Sequence, residues 1–434
     1  MSSLLKIAEK IFVVLTLFLS TTALIPVLVE KEDVGITSDP YSPILFMGVY
    51  LITGILVWKR QQTFIFFAQK NIWIWLLVGV ALASIFWTVA PDITPRRSFL
   101  LLGTTVFGVY LAMRYSLREQ LELLGWAFSL IIILSFIFAI ALPKYGVMTF
   151  QEDGIHGGAW RGIMSHKNIL GRTMVLSSLV FFFLAISKLV SHPKHRWFAW
   201  GGYILSLLLI LLSTSKSALI ISICTTLTIP LYRTWRSKYT RLIPTAILAI
   251  LVMGSGAILL LDNLPIVASA IGKDLTLTGR TDIWNLMLDL IQQRPLFGYG
   301  FNAFWRDWDS EVTAYLWRNL EWECPYGHNG FMDLLAELGI SGLGLFIISY
   351  INTYIRSIRY LCLTKYSESI FPLIYLTFLL IYNITESTLV TTNSIFWILY
   401  VSMIFSVAFE YEQAKNFQLV GENLTIMDME NSQP

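Results

Sequence analysis

The run QLELLGWAFSLIIILSFIFAIA, residues 120–141, decides the fold. Past Glu122 it carries no charge, and a helix of this length crosses the roughly 30 Å hydrocarbon core of a bilayer. Apolar runs of about 17–22 residues recur on both sides of it. They lie at 11–29, 42–58, 72–90, 97–113, 169–187, 196–212, 215–232, 242–261, 328–350, 369–384 and 393–410. The chain is 56% hydrophobic and only 14% charged, with a mean hydropathy of +0.65. A soluble protein of 434 residues does not need so little charge. The fold class is therefore an all-α polytopic membrane protein of about twelve transmembrane helices. The ten-residue alternation of a membrane β-barrel is not visible. The first run has no small-residue cleavage site and reads as a retained helix, not a signal peptide.

Charge placement sets the expected orientation. With the N-terminus in the cytoplasm, the inner segments collect Lys6, Lys10, Lys59, Arg60, Lys70, Arg114 and Arg118. The short segment 233–241 adds Arg233, Arg236, Lys238 and Arg241 with no acid. This is the positive-inside bias, and it puts both termini in the cytoplasm. The same rule makes the basic residues left outside informative, among them Arg97, Arg161, Lys167, Arg172 and Arg280. Arg172 reads as a head-group anchor snorkelling from a helix end. Cys224, Cys324 and Cys362 fall on separate elements, so no internal disulfide and no zinc spacing is expected. Nucleic acid is not an expected partner; membrane lipids are.

Two outer loops are long. Residues 142–168 read LPKYGVMTFQEDGIHGGAWRGIMSHKN, rich in glycine. The second, 262–327, falls between the ninth and tenth spans and is the large extracytoplasmic loop. It holds TGRTDIWNLMLDLIQQRPLFGYGFNAFW, residues 278–305, and leads into HNGFMDLLAELGISG, residues 328–342. From Arg280 to Gln293, Ile283, Trp284, Met287, Leu290 and Ile291 recur at helical spacing opposite Asp282 and Asp289. That pattern predicts an amphipathic helix lying on the membrane surface, capped by Thr278 or Thr281 and ended by Pro295. The domain organisation expected is a membrane body over 1–410, the inserted loop 262–327, and a disordered cytoplasmic tail over 411–434.

The candidate chemistry gathers at the outer face. His328 stands where an apolar helix begins, and its ordinary pKa near 6.5 suits a general base. A histidine that merely caps or packs is the alternative. Asn329, Asp333 and Glu337 recur every four residues, a polar stripe descending from it. Carboxylates below a membrane surface line a cavity or pair with a cation. Arg280 and Arg161 each begin or precede a helix, where a guanidinium fork and backbone donors together suit phosphate. Lys167 and His166 stand near Arg161 in sequence and could join it on a diphosphate. Arg97, after Pro95, is a further basic residue on that face. Salt bridging to Asp282, Glu152 or Asp153, or lipid anchoring, is the alternative for these cations. The loop aromatics, Trp305 among them, suit sugars, although an interfacial aromatic belt explains some of them. Asp307-Trp308-Asp309 has two-carboxylate spacing, but no outer cluster completes a metal site, and no metal or other cofactor is expected. Glu386, in YNITESTLVTTN, could orient an arginine or a sugar hydroxyl.

At these residues the chain resembles the O-antigen ligase and O-antigen polymerase superfamily, most closely its exopolysaccharide-production branch. The likeness rests on SIFWTVAPDITPRRS, WRGIMSHKNILG, TGRTDIW, RPLFGYGFNAFW, HNGFMDLLAELGISGL and NITES, between residues 83 and 387. It implies a GT-C-like fold and a multi-pass protein of the bacterial cytoplasmic membrane. It further implies an inverting, metal-independent glycosyltransferase that takes glycan from a polyprenyl-diphosphate-linked oligosaccharide to a hydroxyl of an acceptor glycan. Arg280 and Arg161 match the family's diphosphate clamps and His328 its base or acceptor-orienting residue, with Arg97, His166 and Lys167 matching more loosely. A flippase and a chain-length regulator are partners expected by the same analogy. Within this class the alternatives are extension of exopolysaccharide and ligation of finished glycan to lipid or protein. A transporter is the alternative from another class, although its polar residues would gather at the bilayer midplane, where these spans are clean.

Overall fold

The computed structural model describes residues 3–24, 41–149, 157–187, 193–235, 242–262 and 279–431. Thr278, Glu152 and Asp153, offered above as cap and ion-pair partners, lie outside these residues. Among the described residues all regular structure is helical, apart from one isolated bridge between Val147 and Trp160. In order the helices are α1 (Ser3–Leu19), α2 (Tyr41–Trp58), α3 (Gln61–Ala68), α4 (Ile72–Ala83), α5 (Thr94–Arg114) and α6 (Leu117–Ala141). There follow α7 (Lys167–Ile186), α8 (Pro193–Leu212), α9 (Lys216–Thr234) and α10 (Leu242–Asp262). The loop helices are α11 (Gly279–Gln293) and α12 (Glu311–Leu320), and the chain closes with α13 (Gly330–Leu363), α14 (Phe371–Tyr382) and α15 (Ile395–Asn431).

Among the described residues six helices are long and apolar enough to cross a membrane, or seven if α2 and α3, bent by 100° at Lys59-Arg60, form one span. The twelve runs of the sequence do not all become long straight helices. Runs 72–90 and 369–384 fold as shorter helices, and 328–350 belongs to a longer one that is broken inside. The outside of the bundle is apolar, with Ile44, Met47, Leu51, Val252 and Met253 exposed, as lipid-facing surface requires. The chain is a multi-pass membrane protein.

Helices α14 and α15 form the centre. Tyr375, Trp397 and Tyr400 are fully buried there, and α15 packs on α5 and α13. Polar groups inside are paired, as low-dielectric surroundings demand. The Trp397 indole donates to Thr105 at 2.9 Å, and Gln120 accepts from Ser402 at 2.7 Å while donating to Ser406 at 2.8 Å. Basic residues assigned to the inner side share one end of the bundle. Arg60 and Arg114 converge on the buried Glu9, at 3.0 and 3.1 Å, and Lys70 pairs with Glu412.

Two expectations change. The apolar face of α11 does not lie on lipid. Ile283, Met287, Leu290 and Ile291 pack with Phe304, Leu316, Trp317 and Cys324, and with Ala336 of α13, into a small second core. Its partners are α12 and the first turns of α13, whose inward residues cover the apolar face that the sequence left uncovered. The backbone over 411–431 is helical as the continuation of α15, where no regular structure was expected. Its Glu, Gln, Lys, Leu and Met residues are good helix formers even without an amphipathic period.

Candidate active site

The site is built on a break in α13. At Gly339 the backbone turns to φ 64°, ψ −166°, a conformation essentially confined to glycine. The break leaves helix carbonyls and amides without partners, and a bilayer-adjacent protein must satisfy them. The loop segment RPLFGYGFN does so. Tyr299 N donates to Ala336 O at 3.0 Å and Gly300 N to Glu337 O at 2.9 Å. In return Ile340 N donates to Pro295 O at 2.8 Å and Ser341 N to Leu296 O at 3.1 Å. The other side of the same segment is held by the 84–94 stretch. Phe301 N donates to Ser84 Oγ, Val89 N to Tyr299 O, and Thr94 Oγ1 to Phe301 O, each at 3.0 Å. Three motifs that look separate in sequence are thus one backbone exchange.

The polar stripe belongs to this lacing. Asn329 caps α13, accepting from Phe331 N at 3.0 Å and Met332 N at 3.2 Å. Asp333 accepts from the Trp305 indole at 2.8 Å, from Gly327 N at 3.1 Å and from the Ser387 hydroxyl. Glu337 takes a hydrogen bond from the Asn302 backbone, with Arg97 in electrostatic range. Of the two expectations for the stripe, a cavity or a cation, the loop covers Asp333 with neutral donors, and Glu337 has Arg97 in electrostatic range. Of the residues expected to contact or support the acceptor, Trp305 gives its indole N–H and Asn329 its side-chain oxygen to this framework. Alanine at Asp333 should leave buried donors unpaired, at roughly 1–3 kcal/mol each. We expect faster proteolysis of the loop near Trp305 and Gly327, measured beside the parent in lipid nanodiscs.

His328 is left at the surface of this framework. It precedes α13 in a left-handed conformation, φ 49°. Its ring packs on Tyr326 with centroids 4.2 Å apart, and the Tyr326 hydroxyl donates to Glu386 at 3.2 Å. Gly330 N donates to Asn383 O at 2.9 Å and Glu386 O at 3.0 Å, and a side chain at 330 would collide with Asn383. The NITES segment is therefore fixed against the histidine turn. Trp284 donates to Gly327 O at 2.8 Å, which binds α11 to the same turn. Arg280 lies one helical turn before Trp284 and acts electrostatically on His328, as does His166. Burial first, then the charge of Arg280 and the neighbouring His166, push His328 down to about 3. The buried Nδ1 of His328 has no hydrogen-bond partner among the described residues. A neutral imidazole with an unused polar atom beside a guanidinium can accept a proton from a hydroxyl next to an anion.

The remaining candidates divide. His166 caps α7, its Nδ1 accepting from Asn168 N at 3.2 Å, so its proton sits on Nε2. Lys167 is buried at the first position of α7. Arg161 is buried and donates to Tyr145 O at 2.8 Å and Lys144 O at 3.0 Å, so its guanidinium ties down the 143–146 turn. Arg172 was misread. Instead of snorkelling to head groups, it donates to the Tyr382 hydroxyl at 3.3 Å and packs over the Tyr382 and Phe396 rings. Glu386 and Tyr326 are in its electrostatic range. Its position on α7 close after His166 was the available signal; the surrounding rings come from the other end of the chain, where no local pattern points to them. Among the described residues no three of His, Cys, Asp and Glu gather as metal ligands.

Residues 201–347 match the family model described as O-antigen ligase, a stretch that holds Arg280, Trp305, His328 and Asp333. The chain is similar to the "Exopolysaccharide production protein ExoQ" of Rhizobium meliloti (strain 1021), 25% identical over 299 residues. That match covers 66% of this chain and 65% of the relative. It is also similar to the "Putative polysaccharide ligase RT0347" of Rickettsia typhi, 28% identical over 125 residues, 28% of this chain and 30% of the relative. The chain thus spans less than two thirds of either curated relative. Region 201–347 matches the O-antigen ligase family model, and the chain is similar to an exopolysaccharide production protein.

Proposed function

We propose that this protein is a glycosyltransferase at the outer face of the bacterial cytoplasmic membrane, moving glycan from a polyprenyl-diphosphate donor to a sugar hydroxyl. On this reading the shorter and broken helices also cross, giving about twelve crossings in a GT-C-like body over 1–410. The loop 262–327 stands outside, between the ninth and tenth crossings, and 411–434 faces the cytoplasm with the N-terminus. The observation that carries the proposal is His328, whose buried Nδ1 has no hydrogen-bond partner among the described residues and which lies in electrostatic range of Arg280. Family likeness supports the reaction class.

The step is an inverting displacement. The acceptor hydroxyl attacks the anomeric carbon, the bond from that carbon to the diphosphate oxygen breaks, and the diphosphate leaves with the electron pair. Arg280, with Lys167 and His166, stabilises the leaving charge, a preorganised electrostatic effect. Arg161 contributes by holding the 143–146 turn, and Arg97 by facing Glu337. His328 takes the hydroxyl proton, with Glu386 holding Tyr326 against its ring. Cationic side chains supply the charge, so no metal is required. Chain extension is the preferred outcome because the stronger relative is an exopolysaccharide-production protein; ligation of finished glycan is the alternative.

The test uses purified protein in lipid nanodiscs, a polyprenyl-diphosphate oligosaccharide, and chelator throughout. A ladder of longer glycans supports an extending enzyme, whereas product only with an added lipid or protein acceptor supports a ligase. Arg280→Ala should slow transfer about 10²–10³-fold, as loss of a transition-state donor does. Arg280→Lys should recover part of this, since it returns charge without the bidentate fork. Lys144→Ala should be silent, because Arg161 uses the backbone carbonyl of Lys144, not its side chain.

The pH profile provides a separate check. A histidine lowered to about 3 in the empty site stays neutral from pH 8 to 5, so kcat/KM should show no limb near 6.5 from it. A bound diphosphate offsets the charge of Arg280 and raises the imidazole pKa. The acid limb of kcat should therefore lie at higher pH than that of kcat/KM. Limbs at the same pH would disprove this coupling.

A further inference from the structure

The large loop has an outward face that the site above leaves unused. Trp308, Tyr315 and Trp322 are 49%, 40% and 43% exposed there. Trp308 is nonetheless fixed. Its indole donates to Glu323 at 2.7 Å, and its ring meets the buried Trp317 edge-on, with centroids 5.1 Å apart. Trp322, the other exposed indole, directly precedes Glu323 in the chain. On α12, Tyr315 follows Glu311 by four residues on the solvent side, while Thr313, Ala314, Leu316 and Trp317 face inward.

The charge around these rings identifies what they meet. Asp307, Asp309, Glu311, Glu321 and Glu323 stand against Arg306 and Arg318. Arg306 is itself committed to Asp92 through paired hydrogen bonds of 3.0 and 3.1 Å. That contact holds the Asp92 carboxyl below its ordinary range. An aromatic belt seated among anionic lipid head groups is favoured by basic neighbours, and this rim is acidic. Fixed ring faces attract the C–H faces of a sugar, and carboxylates accept its hydroxyls.

We propose that this face is a subsite for the acceptor glycan, selective for uncharged sugars over those bearing uronic acids. That its occupant is the acceptor rests on the transfer reading; the binding itself does not. The anchored Trp308 ring binds at low ordering cost, and the acidic rim repels an anionic chain over about 10 Å at 0.1 M salt.

The experiment measures binding of maltohexaose, cellohexaose and hexagalacturonate to the full chain in nanodiscs by saturation-transfer NMR. At least one neutral hexaose should bind, and W308A/W322A should weaken it tenfold or more. Hexagalacturonate should bind at least tenfold more weakly than that neutral probe at low salt. Glu323→Gln, which removes charge and keeps an acceptor for Trp308, should narrow the gap. Absence of neutral binding, tighter binding of hexagalacturonate, or binding unchanged in W308A/W322A overturns the subsite. So does quenching of Trp308 and Trp322 by brominated lipids, which would place the rings in the membrane interface. Elongation separates the two readings. A ladder from the parent without probe binding removes the subsite and keeps the transferase. Substitution-sensitive binding without product from either donor or acceptor assays does the reverse.

Discussion

Alanine in place of His328 lowers the transfer rate about 10²–10⁴-fold, the range for loss of a positioned general base. The protein should still insert and fold, because the cap of α13 comes from Asn329 and the turn is held by Asp333 and Trp284. Donor affinity should change little, since the diphosphate is assigned to Arg280. His328→Gln offers hydrogen bonding without proton uptake. It should bind acceptor yet remain nearly as slow as alanine if the imidazole takes the proton, and recover substantially if it only orients the hydroxyl. Single-turnover rates in nanodiscs, compared with donor binding by filter assay, distinguish these outcomes. A parent-like rate for His328→Ala would remove the proposed base.

Gly339→Ala should be equally damaging by another route. The native φ 64°, ψ −166° is closed to alanine at a cost of roughly 1–3 kcal/mol, before any collision. The added carbon would also strike the backbone of Leu296 and Phe297. Either the helix straightens and expels the loop segment, or the loop moves away, and each frees four backbone hydrogen bonds. We expect loss of transfer with His328 and Arg280 chemically intact, together with protease nicking within 295–302. Gly344→Ala is the control. It lies in the same helix with open space around its Cβ position, and it should be neutral or slightly stabilising. An unnicked, active Gly339→Ala protein would show that the break does not hold the loop.

The sequence made the membrane class legible because burial in lipid demands long apolar runs, a signal that tertiary packing does not erase. Helix α11 was likewise readable, since its five apolar residues repeat at helical spacing. Its partner was not. An amphipathic face is equally suited to lipid or protein, and only the fold supplies Trp317 and Cys324 to cover it. The helix break was hidden for a related reason. LAELGISG reads as continuous helix with one tolerated glycine, and nothing local says that a segment from 40 residues earlier will donate into it. His328 and Arg280 could be singled out because each stands where the long polar stretch meets the start of a helix. Arg172 could not be distinguished from an anchor, because its tyrosine partner lies at the far end of α14.

The lacing of 84–94, 295–302 and 330–342 has a consequence for making hybrids of such proteins. The large loop looks like a cassette, entering and leaving between two helices, and exchanging it between relatives would seem simple. Its backbone, however, completes the hydrogen bonding of α13 and exchanges hydrogen bonds with the turn before α5, donating to Ser84 and accepting from Val89 and Thr94. A graft cut at the loop's own ends would bring a foreign plug to a native socket. The exchangeable piece is discontinuous: the loop, the first half of α13 with its break, and the 84–94 stretch must travel together. A hybrid with new acceptor preference should work only when all three come from one parent.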